Sequence, residues 1–331
     1  MTYWYLWLTP IAVGTVIALL GFVGCDLIFT LDDATIGDFT VYDETVLADA
    51  PVMYLRLQES SPGTAIPGGE AVDAVGAHPG TYERLGTALP DDPTALSPEA
   101  APPLLEIGIA PALLPPDSLT TAMRVRAARV RVPFAAAINP PVFTFEIFVQ
   151  PEWDLTALGR YYAVVESTDK PATGSNNSKQ KGFAIYAGPS SPTDLQTPYR
   201  WQLWVGTGTD FRQLAEQPPA NAGNPGPMVE AAPTYLCVTF DGSEYQLFAY
   251  TETSDIDSVK YRLVPETFVP NTNADMTIGM AQASRSLVPP FPGPNRNLYP
   301  FIGKMQEVVM YDKVLLEERI ISHIMTAFFG G

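Results

Sequence analysis

The chain has 331 residues, of which 36 are acidic and 19 basic, giving a net charge of −17. This charge excludes a general nucleic-acid binder, because neutralising phosphates requires a basic face. The 33 prolines disfavour long helical bundles, and the two cysteines exclude a disulfide framework. The composition predicts an acidic, loop-rich β domain behind an apolar N-terminus.

The N-terminal segment is long and apolar enough to span a bilayer. Residues 3–24 carry no charged side chain, and as a helix they are about 33 Å long, against a bilayer core of about 30 Å. Trp4 and Trp7 lie near its start, where interfacial aromatics anchor membrane helices. The sequence predicts one transmembrane helix within residues 1–30, an acidic tether over residues 31–50 and a β-sandwich over residues 51–331.

Three fates are open for this segment. A cleaved secretory signal requires a basic n-region, and the first basic residue of the chain is Arg56. Residues 22–25 loosely resemble a lipobox, which would place a lipid on Cys25. A retained anchor is favoured, with the large domain on the exported side of the membrane.

A stripe of small residues marks one face of the predicted membrane helix. Gly14, Ala18 and Gly21 are spaced by four and three residues, and such stripes allow close packing between membrane helices. Ordinary glycine and alanine usage is the alternative. The stripe points to other membrane proteins, besides the lipid bilayer, as partners.

The rest of the chain predicts many short strands. Asp241-Gly242, between two of them, is a hairpin turn signal, and residues 315–327 are the one helical stretch. Many short strands joined by turn-rich connections favour a sandwich or jelly roll. The strand candidates are residues 52–57, 121–132, 142–149, 161–167, 182–186, 199–206, 234–240, 245–250, 275–279 and 303–311.

Four stretches, in order, resemble the laminin G-like, concanavalin A-like jelly-roll family. They are VLADAPVMYLRLQE at residues 46–59, Asp73 with Gly80-Thr81-Tyr82, FTFEIFVQP at residues 143–151, and FIGKMQEVVMYDKVL at residues 301–315. The resemblance implies an all-β jelly-roll sandwich with a short C-terminal helix that contains His323. Leu55 and Phe148 stand where the family usually has Trp.

Catalytic groups are scarce in the sequence. Glycoside hydrolases need two carboxylates that flank the scissile bond, and Glu146 is a lone carboxylate on its strand, for which a structural role is favoured. With only His78 and His323, a Ser-His-Asp triad is improbable. No enzyme activity and no cofactor are predicted, and calcium is left open. Its candidate ligands are Asp73, Asp210, Asp241, Asn271, Asn273 and Asp275.

Two surfaces are candidates for recognition. The first is a basic stripe that alternates with valines in the strand predicted over residues 121–132; it is either a solvated, salt-bridged face or a dock for an acidic partner. The second is Trp204, beside Arg200 and Gln202, which is either a sugar-stacking platform or packing under a loop. The stripe consists of Arg124, Arg126, Arg129 and Arg131.

Two classes of function follow. One is a non-catalytic, membrane-anchored interaction module, an accessory subunit that docks on the exported side of a larger membrane complex. The alternative is a membrane-tethered carbohydrate-binding protein, which would bind a glycan. The identity of the partner complex and the oligomeric state are not readable from the sequence.

The anchor prediction is testable by intact-mass measurement of the mature protein. We expect a mass that retains residues 3–24, because the apolar run lacks the basic n-region of a cleaved signal. A mature N-terminus at a lipid-bearing Cys25 would contradict it.

Overall fold

The computed structural model describes residues 41–59, 63–64, 68–84, 104–109, 121–126, 128–153, 155, 161–169, 181–189, 198–214, 227–256, 260–281 and 300–329. The chain divides into two compact units, Met1–Asp38 and Phe39–Gly331, and the described residues all belong to the second. Within those residues no helix has the length and apolar character needed to cross a membrane. The predicted membrane residues Trp4, Trp7, Gly14, Ala18, Gly21 and Cys25 lie outside them.

Strands make up most of the described chain. Helix α1 (Val41–Ala48) precedes the strands, α2 (Glu317–Phe329) follows them, and a turn of 3₁₀ helix lies at Ala136–Ile138. The strands are β1 (Met53–Leu55), β2 (Gly63–Thr64), β3 (Glu70–Ala71), β4 (Gly80–Arg84), β5 (Leu104–Ile109), β6 (Ala122–Arg126), β7 (Ala128–Val132), β8 (Phe143–Pro151), β9 (Tyr162–Thr168), β10 (Gly182–Pro189), β11 (Tyr199–Gly206), β12 (Phe211–Gln213), β13 (Thr234–Phe240), β14 (Tyr245–Tyr250), β15 (Lys260–Leu263), β16 (Met276–Ile278) and β17 (Ile302–Tyr311).

The described strands form two antiparallel sheets. The first, sheet A, has the order β15-β14-β13-β8-β17-β6-β5-β2, and β1 also pairs with β17. The second, sheet B, has the order β12-β11-β10-β9-β16-β7-β4-β3. Two facing antiparallel sheets confirm the predicted β-sandwich of jelly-roll type.

Alternation along the strands builds the core between the sheets. Residues at every second position of β8 are buried in the main core, as the sequence predicted, together with Trp201 and Leu203 of β11 from the opposite sheet. Side chains of alternate residues point to opposite faces of a strand, so the two sheets bury one face each against the other. The β8 residues are Phe143, Phe145, Ile147 and Val149.

Two sequence predictions need correction. The single strand predicted over residues 121–132 is two strands in different sheets, since β6 pairs with β17 and β7 pairs with β16. The second correction concerns the predicted acidic tether of residues 31–50. Its residues 41–48 form α1, in which Tyr42, Asp43 and Val46 are buried, while residues 31–40 lie outside the described residues.

The predicted turn and the predicted terminal helix are both present. Asp241 accepts backbone N–H groups from Ser243 and Glu244 at 2.7 Å, and Gly242 takes the left-handed φ of +98° that the turn requires. Helix α2 covers residues 317–329, two residues later than predicted. Helices α1 and α2 contact each other and share a second apolar cluster with the outer face of sheet A.

A matched pair of glycines tests the close approach of β9 and β10. Gly182 and Gly68 both have a φ of about +90°, but a Cβ on Gly182 would lie 1.9 Å from the carbonyl oxygen of Ser167, whereas one on Gly68 would meet nothing within 4 Å. We expect Gly68→Ala to cost about 1 kcal/mol of unfolding free energy from backbone strain alone. Gly182→Ala should cost at least about 2 kcal/mol more, because backbone must move. Equal losses in denaturant titrations would contradict the described register.

Candidate functional site beneath the helices

The outer face of sheet A, under α1 and α2, holds the densest group of buried ionisable side chains in the described structure. Helix α2 is amphipathic, and its buried positions recur at three- and four-residue spacing, as expected for a helix packed on a sheet. These positions place one histidine among apolar neighbours. They are Ile320, His323, Ile324, Thr326 and Ala327.

His323 is held between two carboxylates. Its Nδ1 atom lies 3.0 Å from Glu146 Oε2 on β8, and its Nε2 atom lies 2.9 Å from Asp49 Oδ2, just after α1. Arg319 adds an ion pair to Asp49 at 2.8 Å. Neither His323 nor Glu146 is exposed to solvent, so the interaction ties α2, α1 and sheet A together in an apolar setting.

The protonated imidazolium is the form that this geometry favours. Burial by itself lowers the pKa of His323, but the Glu146 and Asp49 carboxylates outweigh it and raise the pKa above its ordinary value. For Asp49, burial raises the pKa, but hydrogen bonds from Arg319 and His323 outweigh burial and lower it. An imidazolium has two N–H donors, one for each carboxylate.

A second polar group joins α1 to β1 and β17. The Tyr54 Oη atom lies 2.5 Å from both Asp43 Oδ1 and Glu307 Oε2. Arg56 pairs with Asp43 at 2.7 Å, and the Gln58 amide donates to Glu307 Oε1. Helix α1, the strand β1 that follows it, and the distant strand β17 therefore meet at one tyrosine hydroxyl.

Counting the protons around Tyr54 shows which of the two carboxyl groups is charged and which is neutral. The Tyr54 hydroxyl has one hydrogen and can donate it to only one of the two carboxyl groups. The other carboxyl group must bring its own proton and donate it to the Tyr54 oxygen. Because Asp43 has the Arg56 guanidinium as its counter-ion, Glu307 is the neutral acid.

The environment of Glu307 agrees with this assignment. Burial, followed by the neighbouring Asp43 carboxylate, raises the pKa of Glu307 from 4.5 to about 8. The residue lies in the irregular stretch of β17 where the pairing with β8 shifts register between Gln306 and Val309. Such bulges re-aim side chains, and here Glu307 points to Tyr54.

Backbone strain concentrates at the same place. Within the described residues three non-glycine residues have a left-handed φ: Ala50 at 47°, Leu57 at 58° and Glu307 at 54°. They lie two residues after α1, two residues after β1 and at the β17 bulge, and the Glu307 N–H approaches the Arg56 carbonyl oxygen at 3.3 Å. Such conformations persist only where the surrounding contacts over-determine them.

The network is built to hold helices rather than to react. Both ring nitrogens of His323 are engaged by carboxylates, and the Glu307 carboxyl is bonded on both oxygens. Cys237, on the same face, is fully buried, and burial raises the pKa of its thiol, so the reactive thiolate is disfavoured. The sequence singled out Glu146 and His323 separately as structural, but it gave no sign of their contact.

The predicted basic stripe is divided between the sheets. Arg124 on β6 pairs with Glu152 at 2.6 Å. Arg129 and Arg131 on β7 both pair with Glu83, at 2.7 and 2.5 Å, and Arg131 also reaches Asp275 at 3.1 Å. Arg126 lies on β6 with Arg124. The stripe's role as a partner surface stays a prediction, and its charge is shared with local acids.

Trp204 packs in a small aromatic cluster on the outer face of sheet B. It is 4% exposed, stacks on Phe211 with ring centroids 6.0 Å apart, and its Nε1–H donates to Gln202 at 3.1 Å. Tyr186 of the same cluster donates to Glu166 at 2.9 Å. Trp204 thus packs as a core residue and offers no open stacking face.

The candidate calcium ligands are spread over several turns. Asp275 binds Arg131 at 3.1 Å, and Asn271 bonds within its own turn. No three His, Cys, Asp or Glu side chains converge as a metal site in the part of the chain that is described, and calcium binding stays untested. Asp73 accepts four backbone N–H groups at 2.7 to 3.2 Å, from Tyr54, Val75, Ala77 and His78.

Comparison with known proteins found similar solved structures only. No protein-family model matches the chain, and no curated protein matches it. Domain 4 of AbnA, a GH43 extracellular arabinanase from Geobacillus stearothermophilus, in complex with arabinotriose, is 12% identical with a TM-score of 0.43, over 83% of this chain and 98% of that one.

Two further neighbours are longer proteins, of which the chain covers about half and about a third. The receptor binding domain of botulinum neurotoxin C/D mosaic serotype is 10% identical with a TM-score of 0.45, over 83% of this chain and 51% of that one. Trypanosoma rangeli sialidase, in complex with 2,3-difluorosialic acid, is 11% identical with a TM-score of 0.44, over 83% of this chain and 32% of that one. At these values the neighbours carry no inference about the function of this chain.

The raised pKa of Glu307 predicts a pH-dependent stability. Folded Glu307 keeps its proton up to about pH 8, whereas its ordinary pKa is 4.5, so unfolding between these values releases a proton. Stability should therefore fall as pH rises through this window, by up to about 1.4 kcal/mol per unit. Glu307→Gln, which is neutral throughout, should lose this part of the slope in denaturant titrations, while Glu317→Gln, an exposed carboxylate on α2, should keep it. An unchanged slope in Glu307→Gln would refute the buried neutral acid.

Proposed function

We propose that the protein is a non-catalytic, laminin G-like interaction module, held at a membrane by its N-terminal segment. In this proposal it serves as an accessory subunit, with its sandwich on the exported side of a larger membrane protein complex. The non-catalytic part is supported by the site beneath the helices, where the imidazole and the carboxylates saturate one another.

Exposed apolar side chains on the helical layer carry the proposal of protein binding. Among the large apolar side chains that are exposed in the described residues, four lie on α1, on α2 or immediately before α2, at 44 to 70% exposure. Exposed apolar side chains that gather on one layer are typical of interaction surfaces. The four are Val41, Leu316, Met325 and Phe329.

The membrane part rests on the sequence. The uncharged run of residues 3–24 supplies the anchor, and the small-residue stripe of Gly14, Ala18 and Gly21 supplies a face for a partner helix. A helix contact and a domain contact on one chain act together, because the first raises the effective concentration for the second. Two modest contacts then give a stable subunit.

Carbohydrate binding is the second candidate. It is supported by the outer face of sheet B, where the half-buried side chains of Arg200 and Gln213 lie on the strands that carry Trp204 and Phe211. Polar groups beside aromatic rings are the usual means of sugar recognition. The burial of Trp204 itself leaves only the polar rim of this cluster for a glycan.

Mild detergent extraction followed by native mass analysis tests the accessory-subunit proposal. We expect the wild-type protein to migrate with a stable complex. Gly14→Leu with Gly21→Leu should release it without unfolding the sandwich, because bulky side chains keep the helices apart. Val16→Leu with Val23→Leu places leucines on the opposite side of the helix from the stripe and should leave the complex intact.

Three results would overturn the proposal. Co-purification of the Gly14/Gly21 double variant at wild-type yield would show that the helix acts only as a membrane anchor and does not bind a partner helix. A free monomer retained on a glycan array would favour carbohydrate binding. Polysaccharide turnover that is lost in Glu146→Gln would contradict the non-catalytic part.

A further inference from the structure

Helix α1 is too short to be stable without its contacts to the rest of the domain. It has eight residues, and isolated helices shorter than about 12 residues are marginal in water. Its buried apolar side chains are Tyr42 and Val46. Formation of α1 and its docking on α2 and sheet A are therefore one event, governed largely by the polar contacts around it.

Those polar contacts converge on His323 at one end of α1. His323 meets Glu146 from β8 and Asp49 from the end of α1, and Arg319 from α2 pairs with the same Asp49. The Arg319 guanidinium also donates to the Thr45 carbonyl oxygen of α1 at 3.4 Å. The ring centroids of Tyr42 and Tyr311 lie 6.1 and 6.4 Å from that of His323, and Cys237 of β13 lies in the same buried cluster.

At the other end they converge on Glu307. The groups that face it are Asp43 from α1, Tyr54 from β1, and Arg56 and Gln58 from the segment after β1. Glu307 carries the proton that lets Tyr54 bridge two carboxyl groups. Loss of that proton leaves one hydroxyl hydrogen between two carboxylates, of which Asp43 belongs to α1.

We propose that α1 is a proton-dependent clasp, which stays docked while His323 and Glu307 hold their protons and detaches from the sheet as they lose them. A neutral His323 has one N–H for two carboxylates, so either Asp49 or Glu146 loses its hydrogen bond from the imidazole. An ionised Glu307 repels Asp43. Both changes weaken the docking of α1. The ion pairs of Asp43 with Arg56 and of Asp49 with Arg319 persist and resist undocking, so they raise the pH at which α1 detaches.

The clasp opens locally. Within the described residues, the main core between the sheets is a cluster of apolar and aromatic side chains and includes none of the carboxyl and imidazole groups of the clasp. The left-handed residues Ala50, Leu57 and Glu307 flank the contacts that open, so undocking also lets their backbone relax. Residues 41–48 then extend from about 1.5 Å to as much as about 3.3 Å per residue.

Hydrogen exchange of the full chain, in the detergent that extracts it, tests the clasp. The protection of amides in residues 41–48 is compared with that in β8 and β13 at pH 6, 7, 8 and 9, after correction for the intrinsic pH dependence of exchange. We expect the protection of α1 to fall about tenfold or more, because one proton lost only on undocking changes the equilibrium up to tenfold per pH unit. The strands should keep their protection.

Two variants separate the contributions. Glu307→Gln, neutral at every pH, should keep α1 protected to higher pH. His323→Gln, which cannot carry the charge, should leave α1 poorly protected at every pH. Glu317→Gln, in the exposed pair with Lys260, should follow the wild type.

Several results would overturn the clasp. They are pH-independent protection of α1 in the wild type, loss of protection in α1 and β8 together, and a wild-type profile in Glu307→Gln. A wild-type profile in Glu307→Gln would overturn the clasp by itself, so the test is decisive even if His323→Gln does not fold.

Discussion

One proton in a buried site joins the helical layer to the sandwich. Asp43, Tyr54 and Glu307 come from α1, β1 and β17, and their two carboxyl groups meet at a single hydroxyl, 2.5 Å from each. Without the proton on Glu307, two adjacent carboxylates would be buried together, which costs several kcal/mol unless they are paired. The β17 bulge aims Glu307 at Tyr54, β1 carries Tyr54 and α1 carries Asp43. All three elements are therefore positioned around this one proton.

Internal pairing dominates the electrostatics of the described domain. The chain has an excess of acidic residues, and its arginines are used as scarce counter-ions: Arg56 and Arg319 serve buried or half-buried aspartates, and Arg131 bridges Glu83 and Asp275. Exposed ion pairs contribute little to stability. The pairs under the helices differ, since removing one partner leaves a buried charge uncompensated.

The two outer faces of the sandwich are covered in different ways. Sheet A is covered by helices and contains ionisable groups, whereas the outer face of sheet B carries a compact aromatic cluster around Tyr186 and Trp204. Each face has buried polar groups that are bonded to one another, as for Glu166 with Tyr186 and Glu146 with His323. Four of the nine large apolar side chains that are exposed in the described residues lie on the helical layer, and the proposed function places binding there.

The sequence by itself determined the class of fold and the faces of the long strands. Alternation in β8 and β11 and the Asp241-Gly242 turn are local patterns: both strands are present where candidates were predicted, and the turn is present as predicted. It missed α1, whose eight residues lack a clear apolar stripe. It also ran β6 and β7 together, because both alternate arginine with apolar residues, although the phase of the alternation shifts by one residue between them. Only the tertiary structure decided the candidate site. Its contacts to His323 join residues 177 and 274 positions apart, Glu146 with His323 and Asp49 with His323, and a side chain's local pattern does not specify which distant strand or helix will face it once the sheets have formed.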